Sequence, residues 1–360
     1  MQASTCEYVG AENTMSRTSL PELMEERGWL LADGATGTNL FMKGLESGYP
    51  PELWNVEKPD IIQWLHQGFI DAGSDIILTN SFGGSRYRLM LHGAQDRVAE
   101  LNETAARIAG ELAERADRPV VVAGSVGPTG EIFENAGGTL PYPEGVAAFE
   151  EQIAALAEGG VDVVWIETMS STEEAQAAVE AARKAASDLP VVVTMSFDTA
   201  GCTMMGVQPK ALAAFAAEQQ LFAFGSNCGT GAPDLLLGVL EMTEAAPEAI
   251  VVAKANAGVP EFKDGEIVYS GTVELAGTYA RMAMDAGARI IGGCCGNTFE
   301  HVAEMKRALD GHTPGPRPTR ADVEAKLGPI QQQAAGHKCA HGHAHGHGED
   351  GGRRRRRRRR

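Results

Sequence analysis

The segment that decides the fold lies between residues 161 and 198. It reads VDVVWIETMS (161–170), then EEAQAAVEAARKAA (173–186), then PVVVTMSFD (190–198). The two outer runs are apolar without alternation, which is typical of strands buried on both faces of a parallel sheet. The middle run is amphipathic and rich in Ala and Glu, which predicts a helix. The segment therefore predicts a strand, a helix and a second strand.

The same alternation extends in both directions along the chain. Six further β-rich runs end in glycine or polar residues: WLLADGATG (29–37), DIILTNSFGG (75–84), PVVVAGSVGP (119–128), LFAFGSNCG (221–229), AIVVAKANAG (249–258) and ARIIGGCCG (288–296). Eight evenly spaced strands with amphipathic stretches between them, such as residues 272–287, predict an α/β protein with a single-domain (β/α)8 TIM barrel. The alternative is a doubly wound open sheet, but the first strand is not followed by the G-x-G-x-x-G of dinucleotide-binding folds.

Composition excludes several classes of function. The chain has 360 residues and a net charge of −17. Without the eight arginines at 353–360, the rest of the chain has 23 basic and 48 acidic residues. Such a composition argues against a nucleic-acid partner for the folded domain. The first twenty residues contain no apolar core of a signal peptide, and no run approaches the ~18 apolar residues that cross a membrane. We therefore expect a cytoplasmic protein without a membrane partner.

Polar residues collect where the predicted barrel would carry its active site. In such barrels the active site lies at the C-terminal ends of the strands. In this sequence the following residues stand at those ends: Asp33, Asn80, Ser125, Glu167, Asp198, Cys228, Asn256, Cys294 and Cys295.

The three cysteines in this set suggest a metal site. Cys228 ends the sixth strand, and Cys294 and Cys295 end the eighth. Adjacent residues of a strand face opposite sides, so both cysteines reach one ion only if the strand has become a loop, which the neighbouring glycines allow. Three thiolates suit Zn²⁺ and leave a fourth position for a substrate. Buried structural thiols, or a disulfide between Cys294 and Cys295, remain alternatives on spacing alone.

The motifs as a set resemble a known family. LLADGATGTNL, LTNSFGG, GSVGPTG, WIETMS, NCG and GGCCGN, in this order, look like the zinc-dependent homocysteine S-methyltransferases over roughly residues 20–310. In overall look the chain is most similar to bacterial single-domain proteins of the betaine–homocysteine S-methyltransferase type. The resemblance implies methyl transfer to the thiolate of homocysteine, giving methionine, with Zn²⁺ held by Cys228, Cys294 and Cys295.

The resemblance also implies roles in substrate binding. Asp33 and Glu167 match the acidic positions that hold the substrate ammonium group. Backbone N–H groups near Gly34 and Ser125 are the expected partners of the substrate carboxylate. Asn256, in the motif NAG, matches an asparagine that can bind the zinc when no substrate is present.

The methyl donor is less clearly indicated, and betaine is the leading candidate. Gly83 and Thr168 stand where the animal betaine enzymes carry tyrosines of an aromatic cage, so Tyr49 or Trp54 would have to supply an aromatic wall. The alternatives are a sulfonium donor such as S-methylmethionine and a separate corrinoid protein, since the chain contains no cobalamin or folate module. A zinc-storing or partner-binding barrel without activity is the non-enzymatic alternative.

The predicted domain organisation follows from where the pattern stops. We expect a flexible N-terminus over residues 1–19, the homocysteine-binding barrel over 20–312, and a low-complexity tail over 313–360 that is rich in His and Arg. The tail composition predicts disorder, with one short helix near 320–327.

Overall fold

The computed structural model describes residues 18–198, 200–258, 260–263 and 266–331. Eight strands lie in one sheet: β1 Leu30–Leu31, β2 Ile76–Leu78, β3 Val121–Val126, β4 Val163–Met169, β5 Val191–Met195, β6 Ala223–Cys228, β7 Ile250–Ala255 and β10 Ile290–Gly293. Two more strands, β8 Pro260–Lys263 and β9 Glu266–Tyr269, form an antiparallel hairpin after β7.

The sheet closes into a barrel. All neighbouring strands run parallel in the order β1-β10-β7-β6-β5-β4-β3-β2. A bridge between Ala32 and Ile76 then joins the first strand to the last in this order. The prediction of a (β/α)8 barrel is confirmed, and closure excludes the open doubly wound sheet.

The joint between β1 and β2 is short and relies on side chains. The backbone supplies hydrogen bonds from Asp33 N–H to Ile76 C=O (3.0 Å) and from Asp75 N–H to Leu31 C=O (2.7 Å). Two carboxylates add to them, because Asp75 Oδ2 accepts from Leu31 N–H (2.9 Å) and Asp33 Oδ2 from Leu78 N–H (2.7 Å). The carboxylates of two aspartates therefore replace some of the backbone hydrogen bonds between β1 and β2.

Helices surround the sheet. In chain order they are α1 Leu20–Arg27, α2 Thr36–Phe41, α3 Trp54–Glu57, α4 Pro59–Asp71, α5 Arg86–Met90, α6 Val98–Arg115, α7 Tyr142–Glu158, α8 Thr172–Ala185, α9 Pro209–Glu218, α10 Ala232–Ala245, α11 Val273–Asp285, α12 Phe299–Asp310 and α13 Arg320–Leu327. Short 3₁₀ helices span Pro51–Leu53, Gln95–Arg97 and Glu134–Ala136. Within the described ranges, none of these helices is long and apolar enough to cross a bilayer.

Local sequence explains where the predicted helices begin. α8 starts after Ser171, whose hydroxyl accepts a hydrogen bond from Glu174 N–H, and α11 starts after Thr272, which accepts from Leu275 N–H. Basic residues in the last turn of α8 complement its C-terminal partial charge. The helices predicted at 173–186 and 272–287 are therefore confirmed.

The apolar core has two layers. Inside the barrel, strand side chains such as Trp165, Val163 and Val252 are fully buried, and Leu20 and Leu23 of α1 pack against this interior layer. Outside it, the other faces of the strands pack on the helix ring, as for Ile166 on β4 with Val179 on α8. Burial of both strand faces explains the continuous apolar runs of the sequence.

The packed part of the chain continues beyond the predicted boundary at residue 312. α13 buries Val323 and Leu327, and Ile330 follows with 7% exposed surface. Arg317 donates to the carbonyl groups of Ala286 (3.1 Å) and Leu240. The helix expected near 320–327 is thus α13, but residues 313–331 belong to the barrel structure and not to a disordered tail. The predictions for residues 1–17 and 332–360 fall outside the described residues.

Candidate active site

A cavity of about 610 Å³ lies at the C-terminal ends of the strands. It brings together most of the residues that the sequence singled out, together with a lysine that it did not: Asp33, Gly34, Tyr49, Ser125, Glu167, Cys228, Lys254, Cys294 and Cys295.

The three cysteines form a compact group. The Sγ atoms of Cys228, Cys294 and Cys295 all lie within 4.8 Å of one another, and all three are free thiols. Thiolates on a tetrahedral zinc with Zn–S bonds of about 2.3 Å would stand about 3.8 Å apart. The spacing of the group is therefore compatible with a single ion.

The backbone bends sharply where these thiols converge. Cys228, the last residue of β6, has a φ of 63°, which is uncommon for a residue with a side chain. β10 ends at Gly293, so Cys294 and Cys295 lie in a turn, as their shared orientation requires. Gly296 has a φ of 81°, and a Cβ there would lie 2.4 Å from the ring of Tyr269. Only glycine therefore fits beside the thiols at this position.

Without a cation the thiols hold their protons. The hydrogen bond with Cys228 raises the pKa of Cys294. For Cys228, the hydrogen bond with Cys294 lowers the pKa, but the contact with Cys295 and burial outweigh it and raise the pKa to about 11. Because metal ligation needs thiolates, a bound cation would replace protons at this group near pH 7.

Asn256 lies beside the thiols, with its amide nitrogen toward Cys228. Its Nδ2 donates to the carbonyl of Gly229 (2.7 Å) and lies 3.6 Å from Cys228 Sγ. Its Oδ1 has no hydrogen-bond partner among the described residues, although only 5% of the residue is exposed. A buried acceptor without a donor is unfavourable unless a cation or water meets it. The three thiols make a donor set that fits Zn²⁺.

Asn227 holds the strand ends in place around this group. It is fully buried, and its Oδ1 accepts from Thr168 N–H (2.9 Å) and from the Thr194 hydroxyl (2.7 Å). Its Nδ2 donates to Thr168 Oγ1 (2.7 Å) and lies 3.8 Å from Cys294 Sγ. This role was not predicted from the sequence, although the polar residue before Cys228 in the motif NCG was the available signal.

Glu167 lies near the C-terminal end of β4 and carries a buried carboxylate. Its Oε1 accepts from the Ser125 hydroxyl at 2.5 Å, and burial raises its pKa. The backbone N–H of Ser125 donates to Thr79 Oγ1 (3.0 Å). That N–H is therefore already engaged, which corrects its expected role as a carboxylate partner. Ser125 instead orients Glu167 through its hydroxyl group.

Asp33 does not present a free carboxylate. Its Oδ1 lies 2.6 Å from Nζ of Lys254, and the two side chains are 3% and 2% exposed. Its Oδ2 accepts from Leu78 N–H. Burial would lower the pKa of Lys254, but the carboxylates of Asp33 and Glu167 outweigh it and raise that pKa. The expected ammonium site at Asp33 is thus already filled by a lysine, and the signal for it was the single charged residue in AIVVAKANAG.

The two aromatic residues proposed as a donor-site wall have different positions. Tyr49 lines the cavity, is 37% exposed and donates its hydroxyl to Glu57 (2.7 Å). Trp54 is 3% exposed and packs in the core, with Lys58 Nζ 3.9 Å from its ring centroid. The expectation for Trp54 is therefore wrong, because α3 directs its large apolar ring into the protein. Phe41 and Phe82 line the mouth instead.

Comparison with known proteins identifies related sequences and folds. The family model described as Homocysteine S-methyltransferase matches residues 30–309. Methionine synthase of Mycobacterium leprae (strain TN) is 29% identical over 318 residues, which are 82% of this chain and 26% of that protein. The chain thus spans about a quarter of the length of this curated relative.

Solved structures share the fold. The homocysteine methyltransferase MmuM from Escherichia coli, in its metallated form, matches with a TM-score of 0.66 and 23% identity, over 79% of this chain and 98% of that chain. A methyltransferase from Methanosarcina mazei matches with a TM-score of 0.50 and 14% identity, over 78% and 94%. At these identities the likeness concerns the barrel.

Proposed function

This chain belongs to the homocysteine S-methyltransferase family, and we propose that it transfers a methyl group to the sulfur of homocysteine, giving methionine. The observation that carries the proposal is the convergence of Cys228, Cys294 and Cys295 with the buried carboxylate of Glu167 in one cavity. A group of metal-binding thiols next to a carboxylate suits a substrate that has both a thiol and an ammonium group.

We propose Zn²⁺ as the cofactor, held by the three cysteines, with Asn256 Oδ1 as the fourth donor before substrate binds. Sulfur-rich sites select zinc among the divalent ions that cells supply. Bound zinc would supply one thing, the substrate sulfur in its thiolate form at neutral pH.

The residues of the chain itself would orient the reactants. Glu167, held by the Ser125 hydroxyl, accepts the ammonium group of homocysteine. With betaine as the donor, the sulfur forms a bond to one methyl carbon while the bond from that carbon to the ammonium nitrogen breaks. The nitrogen keeps the electron pair as a tertiary amine, and the proton of the thiol is released to solvent. Glu167 is buried, so its contact with the ammonium group would be made away from bulk water.

Betaine is the donor that the mouth of the cavity supports best. Phe41, Tyr49 and Phe82 offer aromatic surface to a trimethylammonium group, which cation–π attraction favours. Arg88 lines the same mouth and offers a cation to the carboxylate of betaine. A sulfonium such as S-methylmethionine would use the same aromatic surface.

A separate corrinoid protein is the second candidate for the donor. It is favoured by the match to one quarter of a methionine synthase, because a methyl carrier would then lie outside this chain. A zinc-storing barrel would need no carboxylate beside its thiols, so the non-enzymatic alternative leaves the buried carboxylate in this cavity without a role.

One assay tests the proposal. The full chain, loaded with Zn²⁺ and given homocysteine, is offered betaine, S-methylmethionine, dimethylsulfoniopropionate or a methylated corrinoid protein in turn, and methionine is measured. We expect about one zinc per chain and methionine formation with betaine. Cys228→Ala should lose both zinc and activity, whereas Thr230→Ala, two residues further along the same loop, should keep both.

The outcomes separate the candidates. Methionine formed only with the corrinoid protein would favour the second donor. Zinc binding without methionine from any donor would overturn the enzymatic proposal. Zinc is also counted on a chain ending at Gln331, which lacks the histidines at 341, 343, 345 and 347, so that they do not contribute.

A further inference from the structure

Three buried, charged side chains line the cavity. Asp33 follows β1, Glu167 lies near the end of β4 and Lys254 lies on β7, and all three line the same cavity. Their exposed fractions are 2%, 8% and 2%. Together they carry a net charge of −1, with a carboxylate and an ammonium group both available to a ligand.

Asp33 is poorly placed to bind a substrate ammonium group. One of its oxygens lies 2.6 Å from Lys254 Nζ, and the other accepts from Leu78 N–H at 2.7 Å. An incoming ammonium group would have to displace Lys254, which would then be a buried cation without its partner. Such a displacement is costly.

Lys254 has donors left for a ligand. A lysine ammonium carries three N–H groups, and the bond to Asp33 uses one of them. The nearest aromatic face, Trp165, lies 5.8 Å from Nζ. Because Asp33 fixes the position of Nζ, the remaining N–H groups are presented to the cavity in a defined place.

Glu167 and the thiols stand around the same space as Lys254. All of these groups line one cavity, in which the Lys254 ammonium is paired with Asp33 and the Glu167 carboxylate is held by the Ser125 hydroxyl. The backbone N–H of Ser125, a carboxylate partner expected from sequence, is engaged by Thr79. Of the backbone groups expected to meet a substrate carboxylate, the N–H near Gly34 is left, and the ammonium group of Lys254 is a charged partner that lines the same cavity.

We propose that Lys254 binds the carboxylate of the thiol substrate, opposite Glu167, which binds its ammonium group, and that Asp33 is a positioning residue for Lys254. This inference rests on the proposed function, because it assumes that the thiol end of the ligand reaches the cysteines. The site then selects α-amino acids that carry a thiol: the sulfur, the ammonium group and the carboxylate each have a separate partner.

The test compares homocysteine with two thiols that each lack one charged group. 3-Aminopropanethiol lacks the carboxylate, and 4-mercaptobutyrate lacks the ammonium group. Calorimetry measures the Kd of each thiol for the zinc-loaded full chain. A charge-assisted hydrogen bond to a buried lysine predicts that loss of the carboxylate weakens binding about 10- to 100-fold.

The variant for the test removes both members of the ion pair. Asp33→Asn with Lys254→Met avoids leaving Asp33 as an unpaired buried carboxylate. In this variant homocysteine and 3-aminopropanethiol should bind with equal Kd, while the preference for homocysteine over 4-mercaptobutyrate persists. Zinc content and circular dichroism serve as controls for folding.

The results separate this inference from the proposed function. Equal binding of homocysteine and 3-aminopropanethiol by the unmodified chain would overturn the role of Lys254 even if the variant failed to fold. A carboxylate preference that survives in the variant would do the same and leave Lys254 as the counter-charge of Asp33. If none of the three thiols binds, the proposed function fails and this inference fails with it.

Discussion

At the scale of single residues, buried polar groups set the chemistry and the pH response of this protein. Lys254 lines the cavity and Asn256 lies beside its thiols, whereas His66 on α4 does not line it. Its side chain is 1% exposed, and neither ring nitrogen has a hydrogen-bond partner among the described residues. Burial lowers the pKa of His66 to about 4. The folded protein therefore holds this imidazole in its neutral form.

His66 should make the barrel sensitive to acid. Between pH ~6.5 and ~4 the unfolded chain binds a proton at this histidine that the folded chain does not, so stability falls as the pH falls. At the lower end the loss is about 3 kcal/mol. We expect His66→Leu to reduce the difference in unfolding free energy between pH 7 and pH 4.5, measured with urea. His92→Leu, at an exposed position, is the control, and an equal effect of both changes would refute the role of His66.

At the scale of elements, the site is built from the ends of strands that do not follow one another in the sequence. Asn227 at the end of β6 connects Thr168 at the end of β4 with Thr194 on β5. Thr168 and Cys228 both have positive φ angles, of 61° and 63°. Such backbone is costly for residues with a side chain, and the amide of Asn227 holds both turns in place.

Asn227→Ala should therefore weaken both the fold and the metal site. It removes three hydrogen bonds and leaves buried partners unsatisfied, which costs about 2–4 kcal/mol. Loss of a residue that positions metal ligands typically lowers affinity about 10- to 100-fold. Urea unfolding and chelator competition for zinc measure the two effects. Thr194→Val, which removes only one of these hydrogen bonds, should leave zinc affinity unchanged, and an unchanged affinity in Asn227→Ala would contradict the argument.

The strand ends also show what the sequence can and cannot predict. Continuous apolar runs were sufficient for the barrel, and glycines around Cys294 and Cys295 were sufficient to place both thiols in a turn. The pair of Asp33 and Lys254 was not predictable, because it depends on β1 and β7 standing on either side of β10. The engagement of Ser125 N–H by Thr79 likewise depends on the contact between two strands. Trp54 was misplaced because an aromatic residue in a loop segment can face either the cavity or the core.

At the scale of the whole molecule, the C-terminal segment completes the barrel wall. Residues 313–331 pack on α10 and α11 through Val323 and Leu327, and Gln331 N–H donates to Asp234. The spacing of Val323 and Leu327 is that of a helix face, a signal hidden by the Pro- and Gly-rich residues before it, and Ile330 follows after the helix ends at Leu327. The segment therefore contributes to stability although its composition resembles a linker.

A chain ending at His312 should be less stable than one ending at Gln331. Burial of three aliphatic side chains, reduced by the cost of ordering the segment, contributes about 2–4 kcal/mol. For a domain of this size we expect the melting temperature to fall by about 5 °C or more. Calorimetry on the two truncated chains measures the difference, and Arg317→Ala in the longer chain should produce a smaller part of it. Equal melting temperatures would show that α13 rests on the barrel without stabilising it.

The joint between β1 and β2 links the cavity to the motions of the barrel. A closed sheet separates first between the two strands that share the fewest backbone hydrogen bonds. Between β1 and β2, carboxylates replace some of these backbone hydrogen bonds. Asp33 fastens the joint through Leu78 N–H and at the same time holds Lys254. A ligand that restrains Lys254 must therefore slow amide hydrogen exchange at Leu78, on the far side of Asp33 from the ligand. The rate of amide hydrogen exchange at Leu78, which follows the opening of the barrel, would then report whether a ligand occupies the cavity.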